Sequence, residues 1–486
     1  MVAIRGLQAA SLVVATSALE ALFETPVLVG ESAGSGVINA SCGAGRFWFP
    51  AGGYAVDHET LAVEISLVAD GDTCAVPSDT PRALVSASFD GGRSWRPHHF
   101  VGKNSATHWR GIPSGPSFCG ATGVTVSTPS PGLLCPGDPA TPAYIDHNGT
   151  GNLKLSATIW SVSSSNSRDE SSSPQLVPRA ASQPIVLRCP PGAKTLPGGW
   201  GPGPVRPFGH TPSGQPWPFY RVATCSTPPP AGSKKSAEST QVIMRSDDGG
   251  WNWETISTIP AWRDLYMFGK YPRADEIALG VIDGTGLLVV NRVTTSAVGA
   301  QHHYVNYTMC WSGDLGKTWT LWGPEHNVSR AMAGQWSVMP KILQLPSGEV
   351  MLAGGRPGIF IWRGGRAEGT QWRAVNVAAE HNRGLTALPN RHPEWSYDPA
   401  LVSLTPVSST NQTKCCPHPN CTTNGAWCQT TAYSSIAPIG SHSAKVDEEA
   451  AFVIVYDRLA NGWGGPPGQW GELDRVFSMR FRLASD

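Results

Sequence analysis

Four cysteines, Cys415, Cys416, Cys421 and Cys428, crowd into CCPHPNCTTNGAWC, residue types that either ligate zinc or form disulfides. The spacing lacks a clean pair of two-residue intervals, and Asn-x-Thr sequons stud the loop. It therefore reads as a local disulfide knot, and no metal is assigned. A second group of polar residues recurs. SFDGGRSW (Ser88 to Trp95), SDDGGWNW (Ser246 to Trp253) and SGDLGKTW (Ser312 to Trp319) all read Ser-x-Asp-x-Gly-x-[Ser/Thr/Asn]-Trp. An aspartate between hydroxyls accepts backbone N–H bonds in a turn, and a glycine two positions on supplies positive φ. The tryptophan starts the next strand, burying its ring while its N–H seeks an acceptor.

The elements that must carry these turns are strands. ALVSA, TQVIMR and HHYVNYTMCW precede the three copies and are rich in β-formers. Each copy is thus a strand–turn–strand unit, and its recurrence predicts an internally repeated β architecture. RAEGTQW is a worn fourth copy, in which Gly369 and Trp372 keep the spacing but Ala367 replaces the aspartate. EIALGVIDGTGLLVVNRV and SVMPKILQLPSGEVMLAGG read as hairpins, and AAFVIVYDRL as a further strand. Residues 127–240 turn Ser-, Pro- and Gly-rich, interrupted by the short β-like runs LKLSATIWSV and QPIVLRC, and 377–430 breaks the strands again. Both read as insertions into one domain spanning 30–486.

Composition narrows the class. The 486 residues carry 36 Lys+Arg against 36 Asp+Glu, with no basic run to suggest nucleic acid. No apolar stretch reaches transmembrane length. High glycine (54) and proline (42) suit a turn-rich β protein. Eleven cysteines, six sequons at Asn39, Asn148, Asn306, Asn327, Asn411 and Asn420, and a leader-like 1–25 together predict a secreted or lumenal protein. In that leader a single arginine precedes an apolar stretch with small residues near Ala18, diluted by Gln8 and followed by Glu20.

The repeated octapeptide resembles the Asp-box of the sialidase superfamily, which implies an all-β, six-bladed propeller of four-stranded antiparallel sheets with long loop insertions. In that family the box is structural, so its aspartates are not catalytic candidates. The resemblance further implies a retaining exo-α-sialidase acting on sialylated glycans. A tyrosine is the nucleophile, a glutamate its base and an aspartate the acid/base, while three arginines grip the sugar carboxylate. Neither metal nor cofactor is required.

Carried over residue by residue, RADEIALGVIDGTGLLVVNR is similar to the family's Glu-strand-turn-strand-Arg segment. Glu276 becomes the base and Arg292 the second carboxylate-binding arginine. GGRPG puts Arg356 in the third position, and AYSSIAPIG resembles the Tyr-Ser segment, making Tyr433 the nucleophile. Asp457 in VIVYDR stands where a glutamate usually braces the first arginine. Asp79, nine residues before Ser88, matches the acid/base interval, with Asp72 as competitor. The family's Phe-Arg-Ile-Pro is replaced by RFWFPAGG, where Trp48 takes the arginine's place. Arg46, two residues earlier and on the same strand face, is the substitute considered, whereas Arg110 falls out of order after the first box. That departure keeps two alternatives open, a non-catalytic glycan- or protein-binding propeller and a propeller glycosidase for a neutral sugar.

Overall fold

The computed structural model describes residues 19–31, 49–66, 83–101, 124–126, 132–136, 144–145, 152–163, 174–195, 205–207, 211–227, 238–260, 272–282, 284–295, 307–322, 339–355, 358–365, 372–390, 392–404, 429–430, 433–439, 450–459 and 474–484. Their strands form six small sheets arranged as a six-bladed β-propeller. The first blade runs Phe49–Ala55, Leu61–Ser66, Ala83–Ser88, Arg96–Val101, each strand antiparallel to the next. The fourth (Pro272–Ile282, Gly286–Thr295, Thr308–Ser312, Thr320–Trp322) and fifth (Lys341–Gln344, Val350–Gly354, Phe360–Gly364, Arg373–Asn376) repeat that plan.

Innermost strands meet their neighbours around a ring. Phe49–Ala55 touches Val124–Val126 on one side and Ser434–Ile439 on the other, and Lys341–Gln344 touches both Ser434–Ile439 and Pro272–Ile282. Because each sheet is covered by a blade on both faces, the middle strands read as continuous apolar runs rather than alternating ones. Val350–Gly354 and Phe360–Gly364 are buried along their whole length.

The Ser/Pro/Gly-rich stretch 127–240 supplies strands to the second and third blades, among them Gly132–Pro136, Ala157–Ser163, Gln175–Ala180 and Phe219–Thr227. A disulfide between Cys189 and Cys225 ties two strands of the third sheet region, while Cys415, Cys416, Cys421 and Cys428 lie outside the described residues. The sixth blade closes the ring from both ends of the chain. Ser434–Ile439, Ala451–Arg458 and Arg475–Leu483 pair in order, and Ala21–Phe23 and Val27–Glu31 then add to Arg475–Leu483 on its outer side. Phe23 stacks on Phe481 at 4.9 Å. Among the described residues strand pairing thus includes Ala21–Phe23, inside the stretch read as a leader.

All three octapeptides bridge the third and fourth strands of a blade, with matching hydrogen bonds. In the third copy, Ser312 Oγ donates to Asp314 Oδ1 (2.7 Å) and accepts from Gly316 N (2.7 Å). Asp314 also accepts from Thr318 N (2.8 Å) and Thr318 Oγ1 (2.7 Å). The N–H of Thr318, then the hydroxyls of Ser312 and Thr318, hold the Asp314 carboxyl down at about 2. Asp90 and Asp248 make the same bonds with Ser88 and Ser94, and with Ser246 and Asn252. Gly92, Gly250 and Gly316 take φ of 86°, 96° and 86°. The tryptophans fasten blades together: Trp95 Nε1 donates to Ser478 Oγ of the sixth (2.8 Å), and Trp319 Nε1 to Ser257 Oγ of the third (3.2 Å). Trp372 of the worn copy begins the matching strand and is buried.

Between the fifth and sixth blades the chain forms a helix, Val377–Leu385, started by Asn376, whose Oδ1 accepts from Ala378 N and Ala379 N. Among the described residues no helix is long and apolar enough to cross a membrane. The helix buries His381 against the sixth blade. The Trp395 carbonyl can only accept, so His381 Nε2 carries the proton (3.0 Å) and Nδ1 accepts from Tyr456 OH (2.8 Å). Burial, with Arg458 adding to it against the Trp395 bond, drives the imidazole down to about 3. An unfolded histidine takes up its proton near 6.5. Stability is therefore unaffected above that pH and falls as pH drops from there toward about 3, by about 1.4 kcal/mol per pH unit. Urea unfolding at about pH 4.5 should show about 2–3 kcal/mol less stability than at neutrality from this residue, and His381→Gln should flatten that difference. An unchanged difference in the variant would assign the acid sensitivity elsewhere.

Candidate active site

Glu276 sits near the start of the innermost strand of the fourth blade, on Pro272–Ile282, and Arg292 on the adjoining strand, Gly286–Thr295. The two strands pair Ala274 with Val293 and Ile277 with Asn291, and the register shifts in between. Two backbone positions, 275 and 276, thus stand opposite the single position 292. Such a bulge bends the strand and re-aims side chains, which lets residues on neighbouring strands converge. Arg292 Nη1 lies 2.9 Å from Glu276 Oε2.

Tyr433 arrives from the sixth blade, immediately before Ser434–Ile439. Its hydroxyl donates to Glu276 Oε1 at 2.8 Å and accepts from Arg292 Nη1 at 3.3 Å. Met339 N–H, just upstream of the fifth blade's inner strand, donates to Glu276 Oε2 at 2.5 Å. The two carboxylate oxygens are therefore differentiated. Oε2 is held by a guanidinium and a backbone amide, leaving Oε1 directed at the phenol. Tyr433 is 7% exposed and Glu276 4%, so this contact is made in a low-dielectric setting where charge-assisted bonds strengthen. Chemically, the arrangement can take a proton from the tyrosine while a fixed cation faces the oxygen that becomes negative.

Of the residues expected from sequence, Tyr433, Glu276 and Arg292 meet. Asp457 is fully buried on Ala451–Arg458, and its carbonyl accepts from Tyr397 OH at 2.6 Å, on the side where the helical segment packs. Asp79, Arg46 and Arg356 lie outside the described residues, as do Asp72 and Arg110. Gly355, just before Arg356, is held by a bond from its N–H to Tyr307 OH (3.2 Å) and takes φ of 124°.

Sequence reading missed four participants. Met339 contributes only its backbone, so no side-chain pattern marks it. Glu64 (2% exposed) on Leu61–Ser66 and Lys341 (8% exposed) on Lys341–Gln344 are buried polar groups inside apolar runs, and Tyr54 on Phe49–Ala55 is half-buried. A charged residue inside a run otherwise fit for burial was the signal available. Burial, reinforced by the Glu64 charge, pushes the Tyr54 phenol well up, so it stays protonated. The departure at RFWFPAGG has a packing consequence as well. A Cβ at Gly53 would meet Ser435 Oγ at 2.9 Å, so glycine there lets the first blade approach the sixth two residues from Tyr433.

No protein-family model matches the sequence, and no curated protein matches it. Solved structures similar to this chain include an α-L-arabinofuranosidase from Fusarium graminearum, at 10% identity over 95% of this chain and 98% of that one, TM-score 0.43. An α-L-arabinanase from Penicillium chrysogenum shares 11% identity over 95% and 99%, TM-score 0.42. The NanB sialidase from Streptococcus pneumoniae shares 12% over 95% and 70%, TM-score 0.39. At these identities and scores the likenesses bear on neither substrate nor residue roles in this chain, and the site's chemistry rests on the residues themselves.

Proposed function

We propose that this protein is an exo-α-sialidase-like retaining glycoside hydrolase, secreted or lumenal, that removes terminal sialic acid from glycoconjugates. The observation that carries the reading is the Tyr433 hydroxyl donating to Glu276 Oε1 at 2.8 Å with Arg292 beside both. A sugar whose anomeric carbon bears a carboxylate repels an anionic nucleophile, and a neutral phenol with its own base avoids that repulsion. The resemblance of the octapeptides to Asp-boxes supports the same assignment.

In this mechanism Tyr433 Oη attacks the anomeric carbon while Glu276 takes its proton. The bond to the departing glycosidic oxygen breaks, and Asp79 protonates that oxygen. A glycosyl-tyrosine results. Water, deprotonated by Asp79, then attacks the same carbon, and Tyr433 leaves and recovers its proton from Glu276. Two inversions retain the configuration. Arg292 stabilises the phenolate and, with Arg356 and Arg46, receives the sugar carboxylate, while Asp457 braces the first of these arginines.

The test is hydrolysis by the purified, glycosylated chain of fluorogenic α-sialoside, α-L-arabinofuranoside and β-galactoside. Release from the sialoside alone, with the α-anomer of the sugar formed first by NMR, is the expected result. Cleavage of the neutral glycosides only, or binding of sialosides without turnover, would overturn it.

A further inference from the structure

Lys341 is a buried cation that the mechanism above does not use. It opens the innermost strand of the fifth blade, Lys341–Gln344. Strand alternation places it on the face shared by Met339 and Leu343, both packed in the cluster that contains Tyr433, whereas Ile342 points the other way against the fourth blade. Lys341 as a whole is 8% exposed. Among the described residues it has no hydrogen bond and no carboxylate within ion-pair distance, although Glu276 of the fourth blade and Glu64 of the first both act on it across the axis. Arg292, by contrast, already contacts Glu276 and Tyr433 through Nη1.

An ammonium offers three donors, and in so enclosed a setting a ligand that supplies acceptors and negative charge is strongly favoured. We infer that Lys341 is a substrate-binding residue that receives the carboxylate of an acidic sugar, supplying a positive charge from the fifth blade in a chain whose sequence has Trp48 at the position where the family resemblance implies an arginine. This rests on reading the axial site as a sugar site. Burial lowers the ammonium to about 8 against the opposing pull of Glu276 and Glu64, so it remains mostly charged at neutral pH and poorly compensated until an anion arrives. A lysine differs from an arginine here in offering a point charge rather than a bidentate fork, so it grips a carboxylate without fixing its plane.

Calorimetric titration of the full chain with N-acetylneuraminate and with D-glucuronate, each beside its methyl ester, tests this. Lys341→Met and Lys341→Arg are compared with the parent, and far-UV circular dichroism with thermal unfolding confirms folding. At least one acid should bind the parent about tenfold or more tightly than its ester. Lys341→Met should erase that preference with ester binding unchanged, and Lys341→Arg should retain part of it. If glucuronate alone behaves this way, Lys341 keeps its role and the sialic-acid reading falls. If the parent prefers neither acid, or if the preference survives in folded Lys341→Met, the inference is overturned, even where sialoside hydrolysis persists.

Discussion

Tyr433→Phe is expected to lower kcat on a fluorogenic sialoside by at least about a thousandfold, with KM changed little. The substitution deletes one hydroxyl and leaves the ring in its buried cluster. Glu276 keeps Arg292 at 2.9 Å and the Met339 amide at 2.5 Å, so the remaining site should hold its shape and continue to bind the sugar. Glu276→Gln differs, because it removes the base and also strips Arg292 of a buried ionic partner. It should therefore reduce both activity and thermal stability. A Tyr433→Phe variant with parental kcat would show that the phenol is not the nucleophile.

The largest effect on stability is expected at Trp253→Ala. This indole is fully buried in the cluster joining the second and third blades, donates to Gly250 O at 2.7 Å, and lies under the Arg221 guanidinium at 5.5 Å. Truncation removes the packing, opens a cavity and leaves Arg221 without its aromatic face. The cost should be about 3–5 kcal/mol, read as a lower urea midpoint. Burial has already brought Arg221 down to about 9, so that guanidinium tolerates little further loss of compensation. A change below about 1 kcal/mol would mean that the turn's tryptophan is incidental to blade packing.

What the chain discloses before folding follows from the range of the interactions involved. The octapeptide turns are local, closed by hydrogen bonds within eight residues, so their geometry is written in Ser, Asp, Gly and Trp at fixed offsets. Tyr433, Glu276 and Arg292 were legible through the order of the segments that carry them. Their convergence depends on a bulge between Ala274 and Ile277 that no composition rule announces. Lys341 and Glu64 escaped notice because a single charge inside an apolar strand looks like an edge residue until the blades close over it. Pairing of Ala21–Phe23 with Arg475–Leu483 joins opposite ends of the sequence, and no local pattern encodes a partner that distant. Within 127–240 the runs LKLSATIWSV and QPIVLRC were legible as β-like, and they carry Leu153–Leu155, Ala157–Ser163 and Ile185–Arg188. Gly132–Pro136, Gln175–Ala180 and Phe219–Thr227 were instead masked by the serine, proline and glycine around them. The helix at Val377–Leu385 was passed over inside an interruption read only as an insertion, although Asn376 was an available capping signal.

The most direct measurement of the central claim is peptide mapping by mass spectrometry after incubation with a 3-fluorosialosyl fluoride. That reagent has a good leaving group and a ring fluorine that slows breakdown of any glycosyl-enzyme. The mechanism predicts one added fluorosialosyl group on the peptide containing Tyr433, lost in Tyr433→Phe and formed more slowly in Glu276→Gln. Time-dependent inactivation with the label on another side chain, or on none, would contradict it.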